Sequence, residues 1–242
     1  MKVALVTGGA VRLGRATVEE LAGAGWAVAF SYCTSGAAAL ALVGELGDRG
    51  CDVAGIEADL DDGRARTRLA EVVLDRFGGL DALVNNAAVF PRTPFAELSE
   101  EAFLAVMRTN LTAPVFLAQA CGEALRARRG SIVNIADVYG FQPLRHHLAY
   151  SVSKAALIAA TRALAVELAP EVRVNAVAPG IALFPPDYDE AKRRRLLDRT
   201  LLKVEGGARE IARTVRFLLE GAATMTGQVL VVDGGRLVGL EA

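Results

Sequence analysis

Short apolar segments alternate with longer helix-like segments along the whole chain, and this alternation restricts the possible folds strongly. The short segments are apolar at successive positions, which is typical of parallel strands covered on both faces. The pattern predicts a doubly wound α/β fold of Rossmann type, with a parallel sheet of about seven strands, helices on both faces and right-handed crossovers. The predicted strands are Val3–Thr7, Ala27–Tyr32, Asp52–Glu57, Ala82–Asn85, Ser131–Ile135, Arg173–Ala176 and Gln228–Val232.

The segments between these strands have the length and periodicity of helices. No linker, repeat or low-complexity tract interrupts the pattern, so we predict a single domain over residues 1–242. The predicted helices are Leu13–Ala24, Ala37–Asp48, Ala65–Arg76, Glu100–Arg128, Leu148–Leu168 and Arg209–Glu220.

One segment, residues 181–203, departs from the regular pattern. It contains Pro185-Pro186, an acidic patch and three consecutive arginines that begin at Arg193. Because it follows a strand end, where lids over ligand clefts often lie, we interpret it as a substrate lid. The arginine run is interpreted as a solvated helix face.

Composition excludes several classes of partner. The net charge of −1 gives no indication of nucleic acid or of an anionic membrane surface. No stretch approaches the roughly 20 apolar residues of a membrane span, and the apolar run at the N-terminus is too short for a signal peptide. Cys33, Cys51 and Cys121 lack metal-ligand spacing, so we expect no metal and interpret them as buried free thiols. We therefore expect a cytoplasmic protein.

A glycine-rich turn follows the first predicted strand. Residues Thr7–Gly14 read T-G-G-A-V-R-L-G and lead directly into a helix. Glycines at such a turn let the backbone approach a pyrophosphate at the helix N-terminus, where free N–H groups and the helix dipole favour anions. The alternative interpretation is an ordinary tight turn. The position of this glycine-rich segment between a strand and a helix favours a nucleotide site.

The predicted helix Leu148–Leu168 carries a tyrosine and a lysine four residues apart. Tyr150 and Lys154 therefore lie on one face of that helix, and Asp137 stands thirteen residues upstream of the tyrosine. An ammonium near a phenol favours the phenolate, so we expect Lys154 to lower the pKa of Tyr150 from about 10 toward the working pH. Such a tyrosine can give a proton to a substrate while a cofactor gives hydride.

Together these motifs resemble the short-chain dehydrogenase/reductase family, and the resemblance covers essentially the whole chain. Seven motifs occur in order at suitable distances, which makes the resemblance specific. The matching stretches are Thr7-Gly8 with Gly14, Asp59, Asn85-Asn86-Ala87, Asn110, Tyr150 with Lys154, Pro179-Gly180, and Thr226-Gly227 with Asp233-Gly234-Gly235.

The resemblance implies an oxidoreductase, a homotetramer by family expectation, and roles for particular residues. It implies that Asn85 and Ala87 line the cofactor, that Asp59 meets the adenine and that Lys154 holds the nicotinamide ribose. Asn110 would anchor a proton-relay water, beside the catalytic Asp137, Tyr150 and Lys154. The residues assigned to cofactor binding are Gly8, Arg12, Leu13, Gly14, Thr34, Ser35, Asp59, Leu60, Asn85, Ala87, Tyr150, Lys154, Pro179 and Gly180.

The choice of cofactor follows from the end of the second strand. An NAD-specific site usually places Asp or Glu there to bind the ribose 2′-hydroxyl. Here Ser31–Gly36 reads S-Y-C-T-S-G and contains no carboxylate. Hydroxyls, backbone N–H groups and the nearby Arg12 would accept a 2′-phosphate, so we predict NADP(H).

Two departures from the general family pattern indicate the substrate. The family has glycine where this chain has Arg12, and serine where it has Asp137. A serine donates a hydrogen bond to a ketone oxygen, whereas an ionised aspartate only accepts and would repel a developing oxyanion. Asp137 therefore fits a substrate with N–H donors or ring nitrogens. The alternative is that Asp137 merely caps a turn after the strand.

Both departures are similar to the pteridine reductase branch of the family. In that branch an aromatic residue stacks on the pterin, and Phe90 takes its place here; the alternative for Phe90 is loop packing. Ala88 departs from the branch, which commonly has a serine that bonds the pterin. His146 and His147, in the loop before Tyr150, are interpreted as surface or rim residues.

The sequence thus predicts NADPH-dependent reduction of a C=N bond in a pterin or dihydrofolate-like ring. Tyr150 would donate the proton, and the substrate would contact Arg12, Phe90, Asp137 and Tyr150. Reduction of a 3-oxoacyl thioester or another ketone is the alternative within the same fold. A non-catalytic NADP-binding sensor is the alternative from another class, and the intact pair of Tyr150 and Lys154 argues against it.

Overall fold

Parallel strands form a seven-stranded sheet in the computed structural model, which describes residues 1–184 and 188–239. The order across the sheet is β3-β2-β1-β4-β5-β6-β7, as the alternating pattern predicts. The predicted strand positions are confirmed to within a residue or two, except that β6 continues to Pro179. The strands are β1 (Val3–Val6), β2 (Ala27–Tyr32), β3 (Val53–Glu57), β4 (Ala82–Asn85), β5 (Ser131–Ile135), β6 (Arg173–Pro179) and β7 (Val229–Val232).

The helices cover both faces of the sheet, and five of the six predicted segments are confirmed with shifts of a few residues at most. The helices are α1 (Arg12–Gly23), α2 (Gly36–Gly47), α3 (Gly63–Phe77), α4 (Glu100–Met107), α5 (Ala113–Ala120), α6 (Gly122–Arg128), α7 (Leu148–Leu168), α8 (Glu190–Leu197) and α9 (Gly207–Glu220). Among the described residues, no helix is long and apolar enough to cross a membrane.

The prediction of one continuous helix over Glu100–Arg128 is wrong. A π-helical turn, Arg108–Thr112, separates α4 from α5, and Cys121 separates α5 from α6. A π turn widens the backbone and often occurs at functional sites. Here it contains the fully buried Asn110, so the interruption positions a polar side chain inside the protein.

The alternating side chains of each strand pack on two separate apolar layers. On β1, Ala4 and Val6 face the layer under α1, α2 and α9, whereas Val3 and Leu5 face the layer under α3, α5 and α7. Both sets are buried, which explains why β1 is apolar at every position. Charged side chains on the strands occur only at the strand ends, as Glu57 does on β3 and Arg173 on β6.

The strand order reverses direction between β1 and β4, and ligands of open α/β sheets bind in the crevice at such a reversal. The segment proposed as a lid follows β6 at this edge. Its Pro185-Pro186 pair lies outside the described residues, but the rest contains α8 and folds back on the loop after β7, where Leu202 N–H donates to Gly234 O (3.0 Å). Arg194 and Arg195 are exposed as predicted, while Arg193 is half-buried near Phe184.

Candidate active site

The glycine turn between β1 and α1 has the geometry of an anion cradle. Gly8 has a positive φ of 62°, and a Cβ on Gly14 would overlap the carbonyl oxygen of Gly8. Helix α1 begins without a side-chain cap and without an acidic residue in its first turn. In the described part of the chain, the N–H groups of Leu13 and Gly14 have no protein acceptor. The residues therefore fit a pyrophosphate at this helix N-terminus.

The polar residues after β4 hold this turn in place. The Asn86 amide donates to Thr7 O (2.8 Å) and Gly8 O (3.1 Å), while Thr7 Oγ1 accepts the N–H groups of Asn86 and Ala87 (both 2.9 Å). Asn86 and Thr7 were not assigned to the site from sequence, although both stand in the matched motifs. Ala87 does lie beside the turn, since a Cβ on Gly8 would be 3.1 Å from its Cα.

Asn85 ends β4, and its role in lining the cofactor stays a prediction. Its side chain is buried, and its Nδ2 donates to Asn134 Oδ1 (2.9 Å) on the neighbouring strand β5. Asn134 in turn donates to Thr161 Oγ1 (2.9 Å) on α7. The Asn85 amide thus ties the sheet to the helix that carries Tyr150, and Asn86 is the residue that contacts the glycine turn.

The end of β2, where a 2′-phosphate was expected, is open on one side. Thr34 is exposed and Ser35 begins α2 without a side-chain capping bond. The nearby Cys33 is exposed, so the prediction of a buried thiol is wrong there, whereas Cys51 is half-buried and Cys121 is buried. Partial desolvation raises the pKa of the Cys33 thiol, and the carboxylates of Asp59, Glu57 and Asp61 raise it further. These carboxylates lie at the end of β3 and just after it. The residues Ser31–Gly36, which include no carboxylate, therefore lie next to a negatively charged segment.

Arg12 lies between the nucleotide end and the lid. It adopts a positive φ of 53°, a conformation that favours glycine, the residue the general family pattern has here. Its exposed side chain extends to the segment after β6, where Nη2 donates to Leu183 O (3.3 Å). The structure thus brings Arg12 to the lid, and its contacts with cofactor and substrate stay predictions.

The remaining residues assigned to the cofactor lie at the carboxyl ends of β3 and β6. Asp59 is exposed, and its Oδ1 accepts the N–H of Asp61 (3.0 Å); Leu60 beside it is buried. Pro179 ends β6, and the N–H of Gly180 donates to Val232 O (2.9 Å). A Cβ on Gly180 would lie 2.7 Å from the Cα of Asp233, so this close approach of two loops requires glycine.

Tyr150, Lys154 and Asp137 form one buried cluster. The Tyr150 hydroxyl donates to Asp137 Oδ2 (2.8 Å), and Asp137 Oδ1 accepts the N–H of Tyr139 (2.8 Å). Lys154 Nζ donates to Ile135 O (2.7 Å) and lies 5.7 Å from the centre of the Tyr150 ring. Asp137 therefore caps the short 3₁₀ turn Val138–Gly140, as the alternative interpretation from the sequence predicted, and it also accepts a hydrogen bond from Tyr150.

The charges in this cluster differ from the sequence-based expectation. Burial raises the pKa of Tyr150 well above its ordinary value, and the Asp137 carboxylate raises it further, so the expected lowering by Lys154 is wrong for this structure. Burial also raises the pKa of Asp137, against the opposing effects of its hydrogen bonds and of Lys154 and Arg236. Burial lowers the pKa of Lys154 to about 8, although Asp137 favours the ammonium. The phenol is thus held protonated.

The lowered pKa of Lys154 predicts a measurable dependence of stability on pH. Between about pH 8 and its ordinary value of 10.5, the unfolded lysine binds a proton that the folded one has lost. The contribution of Lys154 to the free energy of unfolding should therefore rise with pH across this interval, by about 3 kcal/mol at most, while the raised pKa values of the buried Cys121 and Tyr150 act in the opposite direction. Urea unfolding from pH 8 to 10 should therefore show that the wild type gains stability relative to Lys154→Met. The exposed Lys203→Met is the control, and parallel curves for all three proteins would contradict the prediction.

Asn110 is fully buried in the π turn, and its amide is occupied on both sides. Its Oδ1 accepts the N–H of Val89 (2.8 Å), and its Nδ2 donates to Val89 O (3.0 Å) and Ser153 Oγ (3.0 Å). Ser153 Oγ donates to Tyr150 O (2.7 Å). Asn110 therefore fixes the loop that carries Phe90 against α7; its role toward a relay water stays a prediction.

Aromatic rings line the approach to Tyr150. Phe90, 47% exposed, packs edge-on against the Tyr150 ring, with centroids 4.4 Å apart, and stacks on His147 at 4.5 Å. The Tyr139 ring lies 6.5 Å from Phe90 in a nearly parallel orientation. His146 is exposed and His147 is half-buried at the rim, as expected. Phe90 thus takes part in loop packing, and its half-exposed ring lies beside the Tyr150 ring.

Comparison with known proteins agrees with this geometry. The family model described as enoyl-(acyl carrier protein) reductase matches residues 9–236. A 3-oxoacyl-[acyl-carrier-protein] reductase of Synechocystis sp. is 34% identical over 98% of this chain and 97% of that protein. The chain belongs to the short-chain dehydrogenase/reductase family.

Two further relatives add detail within the short-chain dehydrogenase/reductase family. A dihydromonapterin reductase of Enterobacter sp. is 35% identical over 75% of this chain and 76% of that protein. A solved structure of a blue fluorescent protein from a metagenomic library, in complex with NADPH, superposes with a TM-score of 0.91. It is 33% identical, and the match covers 97% of both chains. The predicted family and its oxidoreductase class are therefore confirmed.

Proposed function

We propose that this protein reduces a C=N bond in a pterin or dihydrofolate-like ring with NADPH. The observation that carries the proposal is the hydrogen bond from the Tyr150 hydroxyl to Asp137 Oδ2 (2.8 Å). In a carbonyl reductase that position would serve best as a donor to the carbonyl oxygen, because an oxyanion develops there. A carboxylate beside the proton donor instead suits a ring with N–H groups to donate.

The cluster of Tyr150, Asp137 and Lys154 can deliver one proton to a ring nitrogen. Tyr150 remains a protonated donor because burial and Asp137 raise its pKa. When its hydroxyl turns from Asp137 to the ring, Asp137 Oδ2 becomes free to accept a ring N–H. Lys154 Nζ, held by Ile135 O (2.7 Å), places a cation near the phenolate that remains after the transfer.

NADPH is the cofactor that this chain's residues fit. The uncapped start of α1, with free N–H groups at Leu13 and Gly14, suits the pyrophosphate. Ser31–Gly36 offers hydroxyl and amide donors to a 2′-phosphate. When bound, NADPH supplies hydride. The NADPH complex of the similar metagenomic protein supports this assignment.

We expect kcat/KM with NADPH to exceed that with NADH by about tenfold or more, equivalent to about 1.4 kcal/mol. Thr34→Asp should reduce this preference, because it places a carboxylate beside the 2′-phosphate, where Glu57 and Asp59 already contribute negative charge. Initial rates with both cofactors measure the effect, and Thr34→Asn is the uncharged control. Equal or better use of NADH by the wild type would contradict the assignment.

Reduction of a 3-oxoacyl thioester is the second candidate, and the similarity to the Synechocystis reductase favours it. The deciding experiment follows NADPH consumption with dihydrobiopterin, dihydrofolate, an acetoacetyl thioester and simple diketones. The first proposal expects turnover of the ring substrates. Turnover confined to the thioester would select the second candidate.

Phe90→Ala should raise KM for the ring substrate by about 5- to 150-fold, since stacking and burial together contribute roughly 1–3 kcal/mol. The Kd of NADPH should change much less, because the Phe90 ring packs on Tyr150 and His147, whereas Gly8 of the glycine turn packs on Asn86 and Ala87. Phe95→Ala is the control, since Phe95 is 80% exposed on the same loop. An unchanged KM would leave Phe90 with loop packing alone.

A further inference from the structure

A cleft of about 260 Å³ lies next to the catalytic cluster, on the far side of Tyr139. Three arginines contribute to its lining: Arg145, Arg199 and Arg236. The described residues that line it include no carboxylate. Arg145 and Arg199 are exposed at the surface, whereas Arg236 is buried, with 7% of its surface exposed. The cleft is therefore a positively charged recess with a cation at its base.

The guanidinium of Arg236 lies 5.7 Å from the centre of the Tyr139 ring and is only partly hydrogen-bonded by the described residues. Its Nη2 donates to the Tyr139 hydroxyl (3.3 Å), and its Nη1 is buried with no hydrogen-bond partner in the described part of the chain. No ion pair to Arg236 occurs among the described residues. By contrast, the partly buried Arg173 donates to the carbonyls of Leu218 and Leu219.

An unpaired buried guanidinium costs stability, because desolvation of the charge is not offset by a partner. Such a group is stabilised when an anion binds, and its planar fork matches carboxylate and phosphate oxygens. Arg236 is close enough to Asp137 for its cation to favour the Asp137 carboxylate, but the two form no ion pair in the described part of the chain. The position after the Asp233–Gly235 turn thus holds a buried cation whose Nη1 has no hydrogen-bond partner among the described residues.

Tyr139 connects this recess to the reaction site. Its backbone N–H donates to Asp137 Oδ1 (2.8 Å), its ring lies 6.5 Å from Phe90, and its hydroxyl accepts from Arg236. A molecule whose reacting group lies at Tyr150 and Phe90 can therefore extend past Tyr139 toward Arg236. An anionic group on that molecule would meet the unpaired guanidinium.

We propose that the recess formed by Tyr139, Arg145, Arg199 and Arg236 binds a carboxylate or phosphate carried by the substrate. This proposal rests on one part of the proposed function, namely that the substrate reacts at Tyr150. The new element is that the physiological substrate is anionic and that Arg236 selects it.

The test compares charged and neutral members of two substrate pairs, using the NADPH-bound enzyme. Dihydrofolate carries carboxylates and dihydrobiopterin carries none. Acetoacetyl-coenzyme A carries phosphates, and the acetoacetyl thioester of N-acetylcysteamine carries none. The first pair tests a carboxylate and the second a phosphate. Because the second pair does not depend on ring reduction, failure of the pterin assignment can be told apart from failure of this inference.

Arg236→Met should lower the ratio of kcat/KM for the charged to the neutral member by about 10- to 100-fold in at least one pair, mainly through KM. Arg236→Lys should lose less, because it keeps the charge and loses the fork. Arg213→Met, on the exposed face of α9, should leave the ratio unchanged. The melting temperature of Arg236→Met should stay level or rise, since an unpaired buried charge is removed.

Several results would overturn the inference. Equal losses on both members of each pair would mean that Arg236 only positions Tyr139 and Asp137. A wild-type enzyme with no preference for the charged member of either pair would mean that the recess binds no substrate anion. A clear fall in melting temperature for both Arg236→Met and Arg236→Lys, with unchanged ratios, would assign Arg236 to the fold.

Discussion

Tyr150→Phe should bind NADPH with nearly unchanged affinity and lose turnover by about 10²- to 10⁴-fold, the range expected when a general acid is removed. The ring keeps its edge-on packing against Phe90, and Lys154 keeps its hydrogen bond to Ile135 O (2.7 Å). What disappears is the hydroxyl that donates to Asp137 Oδ2. Single-turnover rates and a fluorescence titration with NADPH separate the two effects.

The control for Tyr150→Phe is Tyr188→Phe, which removes a hydroxyl from the lid but keeps the ring beside Lys192. Its rate should fall far less than that of Tyr150→Phe, because the half-buried Tyr188 does not make the hydrogen bond to Asp137 Oδ2 that Tyr150 makes. If Tyr150→Phe retained most of the activity, the proton would have to come from another group. Asp137, whose pKa is raised by burial, would then be the next residue to test.

The sheet could be predicted because its signal is strong and local. Strands such as β1 and β5 are buried at every position, so β1 is entirely apolar and β5 has only Ser131 and Asn134 as polar residues. The error over Glu100–Arg128 has a different origin. The helical periodicity of a sequence does not reveal a π turn. Here the π turn is stabilised by tertiary hydrogen bonds of Asn110 with Val89 and Ser153.

Only the site residues that stand in recognisable motifs were predicted from the sequence. Spacing on one helix was enough to place Tyr150 beside Lys154, and a motif was enough to suggest Asp137. The protonation state was not predictable from spacing, because it depends on burial, which raises the pKa of Tyr150 and lowers that of Lys154. Arg236 was missed because it reaches the cluster through Tyr139, a contact between residues far apart in the chain.

The substitution that most directly tests the substrate class is Asp137→Ser. Serine can keep the cap of the turn Val138–Gly140, because its hydroxyl can accept the N–H that Asp137 Oδ1 accepts now (2.8 Å). It removes the acceptor that ring N–H groups would use, and it places a neutral donor near a carbonyl oxygen. Pterin reduction should therefore fall, while diketone reduction should stay equal or improve.

The expected reversal in relative kcat/KM for Asp137→Ser is about tenfold or more, equivalent to about 1.4 kcal/mol. Asp137→Asn is the matched control, since it keeps the shape of the side chain and removes its charge. If charge is what discriminates, Asn should shift the ratio in the same direction as Ser. Equal losses on both substrate types would mean that Asp137 supports Tyr150 and carries no substrate information. If the wild-type enzyme reduced 3-oxoacyl thioesters and no pterin, the alternative function would take the place of the proposed one. The Tyr150 hydroxyl would then turn from Asp137 to donate its proton to a carbonyl oxygen.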